Sequence, residues 1–523
     1  MPNYLTPGVY VEETSSGIKP IQGAGTATAA FVGFTEKGPF NETVLVTSWT
    51  QYTTVFGDFV PGAYLPQAVY GYFLNGGGNA YVVSLGTGAV TTPSTPAELE
   101  APAPDRAELA GPGGTRAALT VGLSAAGSTA PGGPVTVEVE DATEGGDDAF
   151  KLVVRRDGKV EEVYDNVSTK KGPANVLTAV KRSSLITVEE VKGAALARPV
   201  KGAKASLTPV RPANTPVESE PDVSPGLYIG DTAARTGLSG LEALDDVTMV
   251  AVPDLMAAYQ AGAIDAEGVK AVQLELIAHC ELMGDRVAII DPLPDLNASQ
   301  VREWRQEHSA FDSKYAGLYW PWVNVMNPAD KKAEFIPPSG HIAGVWARND
   351  DTRGVHKAPA NEVMRGVLNP ALAVTKGEQA ILNPLGVNCL RTFPGQGVRV
   401  WGARTLSSDP EWRYINVRRL FNYVEKSILD GTNWVVFEPN TPRLWAGVSR
   451  TIEAFLTRVW RSGALFGRTP SEAFYVRCDD ENNPPENRDA GILTIDIGIA
   501  PVKPAEFVVF RLSQYAQGSS LDE

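Results

Sequence analysis

Reactive side chains are scarce in this chain. Its 523 residues include four histidines and three cysteines. Cys280, Cys389 and Cys478 lie far apart and form no CxxC pair. That spacing argues against a zinc site and for reduced, mostly buried thiols in a cytosolic product. No apolar run reaches the ~20 residues that a membrane helix requires, so no membrane insertion is expected. The opening MPNYLTPGVYVEE has neither a basic nor an apolar leader region, so no secretory signal is expected. Positive charge is also short: 46 Lys and Arg against 61 Asp and Glu leave a net charge of −15. Such a balance disfavours nucleic acid as a partner. No phosphate loop, dinucleotide fingerprint or metal-ligand spacing is present, so no cofactor and no metal are expected.

The four histidines are the candidate catalytic bases. His341, in PPSGHIAGVW, is the best candidate for a general base. A serine nucleophile would need a strained turn near a helix start and an orienting acid. There is no GxSxG segment; Ser449 and Ser462 fall on a helix and Ser407 and Ser408 in a loop. His279 lies beside the apolar face of a helix and reads as a core residue, while His308 and His356 have no spaced ligand partners. Asp254, Asp291 and Asp295 fall at the ends of predicted strands, where α/β enzymes keep their sites. Turn and cap duties account for them more simply. The chain is expected not to be an enzyme.

What is present is a long, ordinary globular composition, 43% hydrophobic and 20% charged. The length calls for two to four domains. Residues 1–23 are rich in breakers (Pro2, Pro7, Gly8, Gly17, Pro20), but Val9, Tyr10, Val11 and Glu12 have strand character. Such an arm cannot build its own core. Residues 24–86 read as a compact αβ unit, with an apolar strand at 29–34, a helix at 49–56 capped by Ser48, a helix at 65–75 and a strand at 80–85. Pro, Gly, Ala and Thr then dominate two loose stretches within residues 87–225. Between them VTVEVE and a pair joined at Asp157-Gly158 predict a mostly β insertion, since Asp-Gly between alternating strands signals a hairpin. From 226 onward strands that are apolar throughout alternate with helices, which implies a central sheet covered on both faces. VTMVAVPDL, RVAIIDP and YAGLYWPWVNV are predicted strands, and 266–283 a helix. Residues 398–437 continue with VRVWGART, a helix over 410–429 and a strand in NWVVFEP. Near the end, Leu493, Ile495 and Ile497 alternate with polar residues, and FVVFRL, including Phe507 and Val509, gives a further strand.

The stretch 442–467 organises the C-terminal half. On a helical wheel Val448, Ile452, Phe455, Leu456 and Val459 share one arc of roughly 100°. Arg443, Arg450, Arg458 and Arg461 share the opposite arc. Residues 390–478 carry thirteen basic and seven acidic side chains, an excess of positive charge in an acidic protein. A basic segment in such a chain suggests one surface that meets an acidic partner.

Three long segments carry a family resemblance. YLTPGVYVEET with TATAAFVGFTEKGPFNETVLVTSWTQYTTVFG resembles the N-terminus of contractile tail sheath proteins of phages and phage-tail-like injection systems. The stretch from NEVMRGVLNPALAVTKGEQAILNPLGVNC to RRLFNYVEKSIL, and WVVFEPNTPRLWAGVSRTIEAFLTRVWRSGALFG, resemble their C-terminal half. The similarity covers about residues 1–90 and 226–515, in the same order as in the family. It implies an α/β multidomain fold: a central mixed sheet flanked by helices, of subtilisin-like topology, with an inserted mostly β domain and extended N- and C-terminal strand arms. It divides the chain into an arm at 1–23, core segments at 24–86 and 226–390, an outward-facing insertion at 87–225, a C-terminal core domain at 391–490 and an arm at 491–523. It implies a subunit that polymerises with copies of itself around an inner tube protein, with baseplate and terminal cap proteins as further partners. Assembly would take place in the bacterial cytoplasm and the product would be a virion or phage-tail-like particle. The arms, with Val9, Tyr10, Val11, Glu12, Leu493, Ile495, Ile497, Phe507 and Val509, would add strands to neighbouring subunits. Arg443, Arg450, Arg458 and Arg461, aided by Arg413, Arg418 and Arg419, would face the tube. The alternatives are a subtilisin-like serine hydrolase built around His341 and a scaffold that does not contract.

Overall fold

A computed structural model describes residues 20–87, 106–110, 117–124, 135–144, 146, 148–156, 159–170, 172–190, 198–207 and 223–510. The chain forms two compact units, one from residues 1–93 and 220–523 and the other from residues 94–219.

The first unit is built on a nine-stranded mixed sheet. Its strands run in the spatial order Glu362–Val363, Gly397–Val400, Val387–Phe393, Ala316–Trp320, Val287–Ile290, Met249–Ala251, Thr28–Thr35, Asn79–Thr87 and Thr43–Val46. The six from Val387–Phe393 to Asn79–Thr87 are parallel, and antiparallel strands close both edges. All eight residues of Thr28–Thr35 are buried. Successive side chains of a strand point to opposite faces. Ala30, Val32 and Phe34 accordingly join one core with the Ala266–Met283 helix, while Ala29 and Phe31 join another with the Leu65–Asn75 and Ser339–Arg353 helices. This is the pattern of a parallel sheet covered on both sides. Gly340 and Gly344 face Ala68 and Tyr72, where a Cβ would clash with the neighbouring backbone, so these two helices pack in close contact.

The last part of the unit holds the Ile415–Thr432 and Pro442–Arg461 helices, which share a core of Leu420, Val424, Val448, Ile452, Phe455 and Leu456. A hairpin of Phe474–Arg477 and Asp496–Ile499 follows. The strand expected in NWVVFEP does not form. The preceding helix runs through Thr432, a short 3-10 turn covers Asn433–Val435, and Val436 and Phe437 lie exposed. Too few residues then remain before the next helix for the chain to reach the sheet and return.

The second unit is mostly β. Lys204–Leu207, Val135–Asp141, Ala149–Arg156 and Lys159–Ser168 form one antiparallel sheet, and Arg106–Ala110, Ala117–Leu123 and Ile186–Glu190 a second. Leu109, Leu119, Val121, Val137, Phe150 and Leu152 share one core. Ala149–Arg156 and Lys159–Ser168 pair as the sequence led one to expect, while their Asp157-Gly158 turn lies outside the described residues.

Candidate assembly interface

The side chains considered for catalysis perform structural work. Asp254 is buried and accepts backbone N–H bonds from Phe34, Tyr64 and Leu65. It thereby caps the Leu65–Asn75 helix, whose own N-cap residue, Tyr64, supplies no side-chain bond. Asp291 accepts from the Ser339 N–H at 3.0 Å and does the same for the Ser339–Arg353 helix. Both carboxylates stand where helix N–H groups lack partners within the helix. His341 is buried against Gly71, its Nδ1 has no hydrogen-bond partner, and burial holds its pKa down at about 4. No nucleophile is bonded to it among the described residues. His279 is buried beside Arg286, and burial lowers it likewise to about 4. Among the described residues no group of three His, Cys, Asp or Glu is placed to hold a metal ion, and no helix is long and apolar enough to cross a membrane.

The Pro442–Arg461 helix is fixed by one face. Thr441 caps it, Pro442 occupies its first turn, and Trp445, Val448, Thr451, Ile452, Phe455, Leu456 and Val459 are buried. Each large apolar side chain buried this way contributes roughly 1.5–3 kcal/mol. The opposite face presents Arg443, Arg450 and Arg461 to solvent, and none of them forms an ion pair among the described residues. Arg413, at the start of the helix before it, is exposed and unpaired in the same sense. Arg458 is exposed but partly engaged, because its guanidinium donates to the Ile21 carbonyl.

Arg418 and Arg419 do not belong to this surface, which corrects the sequence expectation. They are 2% and 4% exposed. Arg418 bonds Glu425 at 3.1 Å and stacks on Trp412, with its guanidinium carbon 4.6 Å from the ring centre. Arg419 pairs with the buried Asp350 at 2.6 Å and donates to the Thr26 carbonyl at 2.8 Å. A guanidinium is buried at tolerable cost only when paired and fully bonded. The local signal was available, since residues 418, 419 and 422 follow Ile415 at the spacing of one helix face. The partner acid was not, because Asp350 is distant in sequence.

The described segments nearest the two ends are anchored. Val9, Tyr10, Val11 and Glu12 lie outside the described residues. Just after them, Ile21 is 1% exposed and inserts into the core of the two C-terminal helices. The Ala24 N–H donates to Ser427 Oγ at 2.9 Å. At the other end, Ile497 pairs with Val476 in the chain's own hairpin, and Ile495 and Ile497 pack on the same helical core. Leu493 is half-buried before that strand. The sequence expectation puts Leu493, Ile495 and Ile497 in an inter-subunit arm; within this chain Ile495 and Ile497 pack on its own helical core. The fixed part ends later, at Glu506. Its carboxylate accepts from Arg404 Nη2 at 2.6 Å, Arg404 Nε at 2.9 Å, Asn383 Nδ2 at 2.7 Å and the Tyr414 hydroxyl at 3.0 Å. Burial alone would raise Glu506, but these donors outweigh it and hold the carboxyl below its ordinary value. Phe507, Val508, Val509 and Phe510 follow, all exposed and without strand pairing among the described residues. Four consecutive apolar side chains are thus left exposed. Neither Ile21 nor Glu506 stood out in the sequence; each is defined by what it touches far along the chain.

Comparisons with known proteins bear on the family of this chain. A model of the phage tail sheath protein central domain matches residues 233–406, and one of the phage tail sheath C-terminal domain matches residues 407–514. The tail sheath protein of Salmonella phage ViI is 28% identical over 299 residues, covering 54% of this chain and 46% of that protein. A putative prophage major tail sheath protein of Pseudomonas aeruginosa strain UCBPP-PA14 is 29% identical over 206 residues, covering 39% of this chain and 52% of that one. The chain thus spans about half the length of these curated relatives. Among solved structures, a chain of the anti-feeding prophage baseplate superposes with a TM-score of 0.58 at 24% identity, covering 98% of this chain and all of that one. The contracted sheath complex of the extracellular contractile injection system PVC superposes with a TM-score of 0.56 at 22% identity, covering 98% and 99%. At these identities the likeness bears on the fold alone. The two sheath models adjoin and together take in more than half of the sequence, and on that match the chain belongs to the phage tail sheath family.

Proposed function

We propose that this protein is the structural subunit of a contractile sheath. It polymerises with copies of itself around an inner tube, and contraction drives that tube through a target envelope. The observation that carries the reading is the unpaired stripe Arg443, Arg450 and Arg461 on a helix whose other face is locked in the core. Cations held rigidly in a row suit an acidic partner that must be gripped over many subunits and released together. The anchored ends supply the second requirement, links between copies. An arm leaving from Ile21 and another leaving from Glu506 can add strands to neighbouring subunits while the anchors stay fixed, and main-chain bonds contribute about 0.5–1.5 kcal/mol each. No step in this cycle calls for catalysis, and we assign none. Baseplate and terminal cap proteins would meet the ends of the polymer, and the second unit would be a decoration carried on it. Assembly in the bacterial cytoplasm and release as part of a virion or phage-tail-like particle complete the reading. The relatives' names support it.

The test is charge reversal at Arg443, Arg450 and Arg461, with Arg458 left intact because it holds Ile21. The triple glutamate variant is expected to fold as the wild type does, since exposed charges contribute little to stability, within about 0.5 kcal/mol. It is expected not to assemble on tubes in a sedimentation assay. Tube-bound sheath at the wild-type level would overturn the tube-facing assignment.

A further inference from the structure

A groove of about 940 Å³ lies in the first unit, between the Lys376–Leu382 helix, the loop after the Ser339–Arg353 helix and the tail from Val502 to Val508. Its cations are Arg353, Lys357, Lys376, Arg391 and Lys503. Lys357 pairs with Glu362 at 2.8 Å. Arg353, Lys376 and Lys503 are exposed, and none of them forms an ion pair among the described residues. Arg391 donates to an uncharged acceptor, Gln379 Oε1, at 2.9 Å. Among the described residues the lining holds a single carboxylate, Glu506, and Arg404 already engages it. Cations without an acid therefore gather here in a chain whose net charge is −15. The groove is also apolar in part. Trp401 is 37% exposed, its ring centre lies 4.5 Å from that of Phe393, and Ala358 and Ala380 line the same space. Such a lining suits an acidic peptide that carries a few apolar side chains. The chain has one that starts at the rim. Phe507 and Val508 form part of the lining, and a few residues later comes 512–523, LSQYAQGSSLDE. That segment contains Asp522 and Glu523, Leu512, Tyr515 and Leu521, and no basic residue. Fully extended it spans up to about 40 Å, ample to turn back at Gly518 or before.

We propose that in the free subunit residues 512–523 fold back into this groove of their own chain, with Asp522 and Glu523 meeting its unpaired cations and an apolar side chain covering Trp401. Attachment selects this occupant. A segment tethered at the rim is present at an effective concentration in the millimolar range, which a second copy or a separate acidic partner must exceed to displace it. Each charge contact is weak by itself and screened by salt, so the hold is reversible. A tail bent back over its own point of exit cannot extend to a neighbour. The contact is therefore autoinhibitory: it restrains the Phe507–Phe510 run until assembly offers a competing site. That consequence rests on the sheath reading, whereas the docking itself does not.

The test uses the full chain as a dilute free subunit, with photo-reactive benzoylphenylalanine at position 380 in the groove. A cross-link within one chain, mapped by mass spectrometry to residues 512–523 and constant in yield on dilution, supports the proposal. A cross-link between two chains whose yield falls on dilution makes a second copy the occupant and overturns it, as does the absence of any cross-link to 512–523. The D522K/E523K variant is expected to lower the intrachain yield about fivefold, as for two exposed charge contacts. Adding K376E/K503E to that variant is expected to restore the yield. An unchanged yield in the first variant, or no recovery in the second, overturns the charge match. Assembly is read separately by light scattering, where D522K/E523K is expected to polymerise with a shorter lag than the wild type. Docking with an unchanged lag overturns the autoinhibitory role alone. Failure of the wild type to polymerise at any concentration overturns the sheath reading and leaves the docking standing.

Discussion

At the scale of single residues, the core of the first unit contains two carboxyl groups that titrate near neutrality. Burial pushes Asp254 up to about 7 although three backbone N–H groups pull it down, and burial pushes Asp291 to about 7 against its bonds from Ser339. Both values lie above the 3.8 of a free aspartate. The folded state therefore binds these protons more tightly than the unfolded chain does. Their contribution to stability is fully present below about pH 3.8 and is lost as pH rises through about 7. The melting temperature should decline across that window for this reason. In D291N the amide oxygen keeps the Ser339 bond and nothing titrates, so a thermal melt series should show a flatter pH profile. An unchanged slope would show that Asp291 does not titrate in the fold. D254N differs, because an amide nitrogen would oppose one of the three N–H donors; it should lose about 1–3 kcal/mol above pH 7, where the wild-type carboxylate accepts all three.

At the scale of elements, the account depends on where the fixed chain stops. Glu506 is held below the 4.5 of a free glutamate, so its hold on the tail is present above about pH 4.5 and is lost as pH falls through the lower folded value. E506Q removes the charge while keeping the shape. Hydrogen exchange at Phe507–Phe510 should speed up in that variant at neutral pH and match the wild type in acid. Equal exchange at both pH values would mean that the clasp does not set the start of the arm. How much of this was legible in the sequence follows from the range of each interaction. Helices at 49–56, 65–75 and 266–283, and strands that are apolar throughout, are written in local periodicity, and they stand as expected. So does the amphipathic Pro442–Arg461 helix with its exposed arginines. The charge of Arg418 and Arg419 suggests exposure, whereas their phase on the helix matches the buried Ile415. NWVVFEP has the apolar content of a strand, but local composition does not say which strand could pair with it. Anchors such as Ile21 and Glu506 depend on contacts that no local pattern records.

At the scale of the whole molecule, the unit of residues 1–93 and 220–523 is built on an αβ body, with its outermost described segments anchored at Ile21 and Glu506. The body offers no converging catalytic groups among the described residues. It offers instead a basic helix and the exposed apolar run Phe507–Phe510. The proposed sheath reading asks for such parts, in a subunit that would hold an inner tube and its neighbours and change its relation to one without losing the other. Contraction is the central claim, and it concerns the polymer. The most direct measurement is electron microscopy of assembled tubes before and after a pulse of acid or denaturant. The account predicts two discrete widths, with the wider form shorter and no longer gripping the inner tube. A single width under all conditions, with the tube still held, would contradict it.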